Sequence, residues 1–177
     1  MKRTILICGI IGGLISVCWF IGSEQILSVN MSITTRLFLG YATMILGLSL
    51  IFVAVKNYRD NYNDGLIAFG KAFRIGLLIT LIASTVYVVV WLIDFTWFVP
   101  DYFDKFKVQM LADMKAQGAT SAQVKAKMVE FNSQAQMYKN PLFNALFTYM
   151  EIVPVGLVIS VIAALILKRK KMIEIAA

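Results

Sequence analysis

The sequence predicts an all-α membrane protein, with four transmembrane helices and an outward-facing amphipathic helical hairpin between helices 3 and 4. Three observations predict it. The 177 residues are 59% hydrophobic and 15% charged, at a mean hydropathy of +0.76, whereas soluble domains average about 45–50% apolar and about 25% charged residues. Four apolar runs each reach the roughly 20 residues that a spanning helix requires. Basic residues also gather at one set of run ends, as membrane topology demands.

The first run covers Thr4–Gly22. With MKRT before it, the run has the outline of a signal peptide. Its apolar stretch is longer than usual and no A-x-A-like site follows, so it is expected to be retained as the first span. The second run covers Leu37–Val55, the third Ala72–Ile93 and the fourth Phe147–Leu167. Lys2, Arg3, Lys56, Arg59, Lys71, Arg74, Lys168, Arg169, Lys170 and Lys171, ten of the seventeen basic residues, fall on one side if the spans alternate. That side is expected to be cytoplasmic and to hold both termini, the other to face outward. The net charge of +7 then reflects topology and a basic collar for anionic lipid headgroups, with no nucleic acid implied.

The fifty-odd residues between the last two runs are too many for a structureless loop. Phe103, Phe106, Met110 and Met114 recur at helical spacing after Pro100, and Gly118 ends the pattern. Thr120 and Gln123 form a capping-box signature, and Val124, Met128, Phe131 and Ala135 share one face of the helix that follows. Asn140-Pro141 closes it. Positions 100–139 therefore read as a helical hairpin inserted into a single domain, 1–177, and the hairpin's faces pack on each other or receive a protein partner.

Several chemistries are excluded. There is no histidine, hence no Ser-His-Asp triad and no histidine-ligated metal. Cys8 and Cys18 are ten positions apart in one apolar run, about 15 Å along a helix, too far for a disulfide. GLIAFGKA, Gly65–Ala72, falls one residue short of a phosphate-binding loop. Ala72 replaces the hydroxyl that would hold magnesium, and no strand precedes the first glycine. No cofactor and no enzymatic activity are expected.

In register, Ala68, Ala72, Gly76, Thr80 and Ser84 instead draw a small-residue stripe along the third run. Gly156, Ser160 and Ala164 draw another on the fourth, and Gly9 and Gly13 a third on the first. Such stripes let helix backbones approach in lipid, and they leave a homo-oligomer open.

The sharpest chemical candidate is Glu151, an ionisable residue inside an apolar run, three residues before Pro154. Helix lengths place Glu24, Arg36 and Asp94 at a similar depth. These groups could bind a cation or relay a proton, and pairing of Glu151 with Arg36 is the favoured outcome. Trp19, Tyr41, Trp91 and Trp97 read as an outer aromatic belt, Tyr58 and Tyr62 as an inner one.

The segments FGKAFRIGLLITLIASTVY, KNPLFNALFTYMEIVPVGLVIS and ALILKRKK resemble a family of small four-helix bacterial membrane proteins, domain of unknown function family 4199. The resemblance implies a bacterial inner membrane and one four-span domain. It carries over no catalytic or binding residue. A structural or accessory membrane protein with an envelope or membrane partner is expected first, and a small ion-coupled transporter using Glu151 second.

Overall fold

Asn140 and Pro141 decide where the longest helix begins. The Asn140 side chain accepts the Leu142 N–H at 2.9 Å, and Pro141 occupies the first turn, where a missing N–H leaves no bond unmade. The helix, α7, then runs through Pro141–Leu167. In the computed structural model, residues 1–26 and 32–169 are described, with the side chains of positions 19, 20 and 22–26 outside the described set.

Six further helices precede it: α1 (Lys2–Ile26), α2 (Ile33–Leu48), α3 (Leu50–Tyr62), α4 (Phe69–Ile93), α5 (Tyr102–Ala116) and α6 (Ser121–Tyr138). The protein is all-α. Helices α2 and α3 form one rod interrupted by a turn at Ser49, whose hydroxyl donates to the Leu46 carbonyl at 2.6 Å. Helix α4 is prolonged by a π-helical turn, Asp94–Phe98. The expected runs thus sit inside longer helices. Hydropathy marks where the apolar residues lie, whereas Ser32, Ala68 and Asn140 mark where helical geometry starts.

Among the described residues three helices are long and apolar enough to cross a membrane: Ile33–Tyr62, Phe69–Phe98 and Pro141–Leu167. Four were expected from the sequence. The expected first span, Thr4–Gly22, lies within α1, but positions 19, 20 and 22 have side chains outside the described set.

Helix α4 is central and packs against both α7 and α1, while α1 also packs on α2. The interior combines large apolar side chains, Met44, Leu48, Ile51, Ile75, Ile79, Tyr87 and Ile152 among them, with small residues where helices come closest. Ala72, Thr80, Ala83, Ser84, Ser160, Ala163 and Ala164 are fully buried. The outer faces carry large apolar side chains as well, among them Leu6, Ile10, Phe38, Leu78, Val158 and Ile166. A Cβ on Gly76 would lie 2.7 Å from the Ser160 hydroxyl, and one on Gly156 would strike Thr80, so α4 and α7 interlock at two reciprocal points. Gly12 and Gly47 bring α1 and α2 together in the same way. Ala68 is exposed and caps α4, so the α4 stripe starts at Ala72, one step later than expected.

At one end, the loop before α4 is tied to the chain leaving α7. Ile67 N–H donates to Arg169 at 3.0 Å and Arg169 N–H returns the bond at 2.9 Å. Gly65, with φ +75°, makes the left-handed turn just before, and Lys71 lies over the Tyr58 ring, 5.4 Å from its centroid. GLIAFGKA is therefore a turn and a helix start. At the other end, α5 and α6 cross the mouth of the packed helices.

Candidate functional site: an aromatic chamber around Glu151

Each helix reaching that mouth contributes side chains at helical spacing. Tyr87 and Trp91, four apart, come from α4. Tyr102, Phe103 and Phe106 come from α5, and Phe131, Gln134 and Tyr138 from α6. Thr148 and Glu151 come from α7 and Leu37 from α2. Spacings of three, four and seven put each set on one helix face, and the faces converge on a cavity of about 260 Å³.

The walls are held by ring contacts. Trp91 and Tyr102 meet edge to face with centroids 5.3 Å apart, as do Phe103 and Tyr138 at 5.3 Å. Phe106 and Phe131 stack at 5.9 Å across the two hairpin helices. Such pairs add roughly 0.5–1.5 kcal/mol each beyond their buried area. The π-helical turn and Pro100 swing the chain from α4 into α5, which lets Phe95 contact Trp91, Tyr102 and Phe103 together. One extra residue in a helical turn re-aims the side chains beyond it.

Polar bonds fix the floor. The Trp91 indole donates to Asn144 Oδ1 at 2.9 Å, and the Thr148 hydroxyl donates to the Asn144 carbonyl at 2.8 Å. Both Asn144 and Thr148 are buried. Lower still, Thr80 and Ser160 bring their hydroxyls to 3.3 Å. Between these layers the Ser84 hydroxyl is buried without a hydrogen-bond partner among the described residues.

The hairpin is latched to the packed helices at a distance in sequence. Asp113 of α5 accepts the Ile33 N–H at 2.9 Å through Oδ2 and the Gln109 amide at 2.9 Å through Oδ1. A carboxylate at a helix N-terminus satisfies an orphan donor and complements the helix dipole. The α5–α6 turn uses Gly118, at φ +72°, and a reciprocal capping box in which Thr120 and Gln123 bond each other's backbone. Burial together with the neighbouring Glu151 carboxylate pushes the Tyr138 phenol above its ordinary pKa.

Of the expected outer-rim charges among the described residues, Glu151 alone lines the chamber. It has no ion-pair partner among the described residues, so the favoured pairing with Arg36 does not form. The α7 face that carries Glu151 turns toward the aromatic side chains, a rotation that helix length does not reveal. Arg36 and Asp94 are half-buried and engaged elsewhere. The Glu24 side chain falls outside the described residues, as do Lys170 and Lys171.

Trp91, one of the outer-belt aromatics, is buried and lines the chamber, whereas Trp97 is 79% exposed. Of the packing residues, Gly9 and Gly13 face α4 at Ile82 and Ala83. Ala72, Gly76, Thr80, Ser84, Gly156, Ser160 and Ala164 are all buried. Phe131, Tyr138 and Tyr102 were absent from the expected site. Their only signal was aromatic density at helical spacing, which reads equally as ordinary packing.

A family model described as protein of unknown function (DUF4199) matches residues 7–169. The chain belongs to that family. No curated protein and no solved structure matches it. Within this DUF4199 chain the chamber, the latch and the interlocked helices all fall inside the matched residues.

Proposed function

We propose that this protein is a non-enzymatic, accessory inner-membrane protein of a bacterium whose working part is the Glu151 chamber under an outward-facing hairpin. In this reading α1 is the fourth span, both termini are cytoplasmic, and the basic collar meets anionic headgroups. The apolar outer faces of α2, α4 and α7 and the small residues at the helix contacts support membrane embedding, because lipid gives helices no hydrophobic reason to associate and close packing must do so.

The observation that carries the accessory reading over transport is the floor of the chamber. Beneath Glu151, fully buried Ile152 and the reciprocal contacts of Gly76 with Ser160 and Gly156 with Thr80 close the α4–α7 seam. A carboxylate above a closed seam holds something at one face and does not pass it across.

Cysteines at Val108 and Val129, both largely exposed on the hairpin, test this. Labelling in intact cells by a membrane-impermeant maleimide supports the outward placement. Crosslinking from the same positions is expected to capture a membrane or envelope partner. Proton or cation flux in proteoliposomes that Glu151→Gln abolishes would replace this reading with the ion-coupled one.

A further inference from the structure

We propose that the chamber binds a small organic cation, an ammonium carrying apolar substituents, over its aromatic faces with Glu151 as counter-ion; this rests on the chamber being the working site.

Three features point the same way. Seven aromatic side chains from α4, α5 and α6 surround the space, and each ring presents a negative face or a positive edge. A cation over such faces is attracted by the ring quadrupoles, most strongly where water is excluded. Among the described lining residues Glu151 is the one carboxylate, and none is a lysine or arginine. Glu151 is therefore the group among the described lining residues that can balance the charge of a bound cation.

Size and polarity then select within cations. At about 260 Å³ the cavity falls just below the roughly 300–1,000 Å³ of drug-sized sites, so the ligand is small. A bare metal ion would want several oxygen ligands, and no group of three His, Cys, Asp or Glu that could hold a metal occurs among the described residues. An alkylammonium needs one counter-charge and apolar walls. Gln134, exposed on α6, supplies a polar group at the rim for a hydroxyl or amine substituent. The ammonium could arrive free or as the headgroup of an aminophospholipid, because Leu37, an exposed apolar residue of α2, is part of the lining.

Equilibrium dialysis of the full chain in nanodiscs with radiolabelled choline tests the chemistry. Saturable binding is expected, with 3,3-dimethylbutan-1-ol, its uncharged isostere, competing at least about tenfold more weakly. Glu151→Gln is expected to weaken choline by about tenfold or more, and Phe103→Leu, which keeps apolar volume without a π face, by several-fold. Equal competition by the isostere in the native chain overturns the proposal, whether or not any variant folds.

Nanodiscs of phosphatidylglycerol alone and of phosphatidylethanolamine separate the sources. Weaker choline binding in the second supports a lipid headgroup, and equal binding supports a free amine. No saturable binding in either overturns the proposal. If choline fails while hairpin crosslinking captures a partner, the ligand chemistry is wrong and the accessory reading stands. If choline binds and no partner is captured, the reverse holds.

Discussion

Asp113 caps Ile33 across eighty residues of sequence, its carboxylate accepting the Ile33 amide at 2.9 Å. This is the bond that fastens α5 to the start of α2. Asp113→Ala leaves that amide and the Gln109 side chain without their acceptor. The expected loss is about 1–2 kcal/mol, concentrated in the hairpin. Hydrogen exchange should quicken in α5 and α6 while the α4–α7 seam stays protected. Uniform quickening throughout would show that the hairpin is not a separately anchored unit.

Two glycines should respond in opposite directions. Gly156→Ala drives a methyl into Thr80 where α7 crosses α4, and the two helices must separate. A drop in thermal stability in detergent of several degrees is expected. Gly70 lies in the first turn of α4 with nothing near its Cβ position. Gly70→Ala should stabilise by about 0.5–1 kcal/mol through helix propensity.

Buried polar groups give a second contrasting pair. The Ser84 hydroxyl has no hydrogen-bond partner among the described residues, so Ser84→Ala should be neutral or stabilising. Asn144→Leu removes the acceptor of the Trp91 indole and should destabilise by about 1–3 kcal/mol. A blue shift and broadening of Trp91 emission would report the same loss directly.

Tyr138 makes alkaline stability asymmetric. Its phenol is held above the ordinary value, so the folded state resists deprotonation that the unfolded chain undergoes. Unfolding then releases a proton. This contribution is complete below the unfolded value of about 10 and is lost as pH rises through the higher folded value. Tyr138→Phe should flatten the decline in stability above about pH 10, measured by denaturant titration.

Local chemistry was legible in the sequence. Thr120 and Gln123 announce their capping box three residues apart, Asn140-Pro141 announces a helix start, and Gly76, Thr80, Ser160 and Gly156 sit at a spacing that only close packing explains. Rotation and reach were not. Whether Glu151 points at Arg36 or into a chamber depends on how α7 turns about its axis. Joining Trp91 to Tyr102 depends on the π-helical turn at Asp94–Phe98, which no residue pattern announces. The Ser49 turn is of the same kind, since a single hydroxyl bonding back to Leu46 leaves no mark on hydropathy.

The lines of small side chains where α1, α4 and α7 meet have a consequence for how this chain varies. In a soluble protein the surface drifts freely and the core keeps its bulk. Here Leu6, Phe38, Val158 and Ile166 need only remain greasy, and any of several side chains will do. Alanine, glycine and serine at the seam admit almost nothing else. Relatives compared by bulk will look unrelated on the outside and nearly identical along three thin lines, and those lines are where distant kinship should be sought.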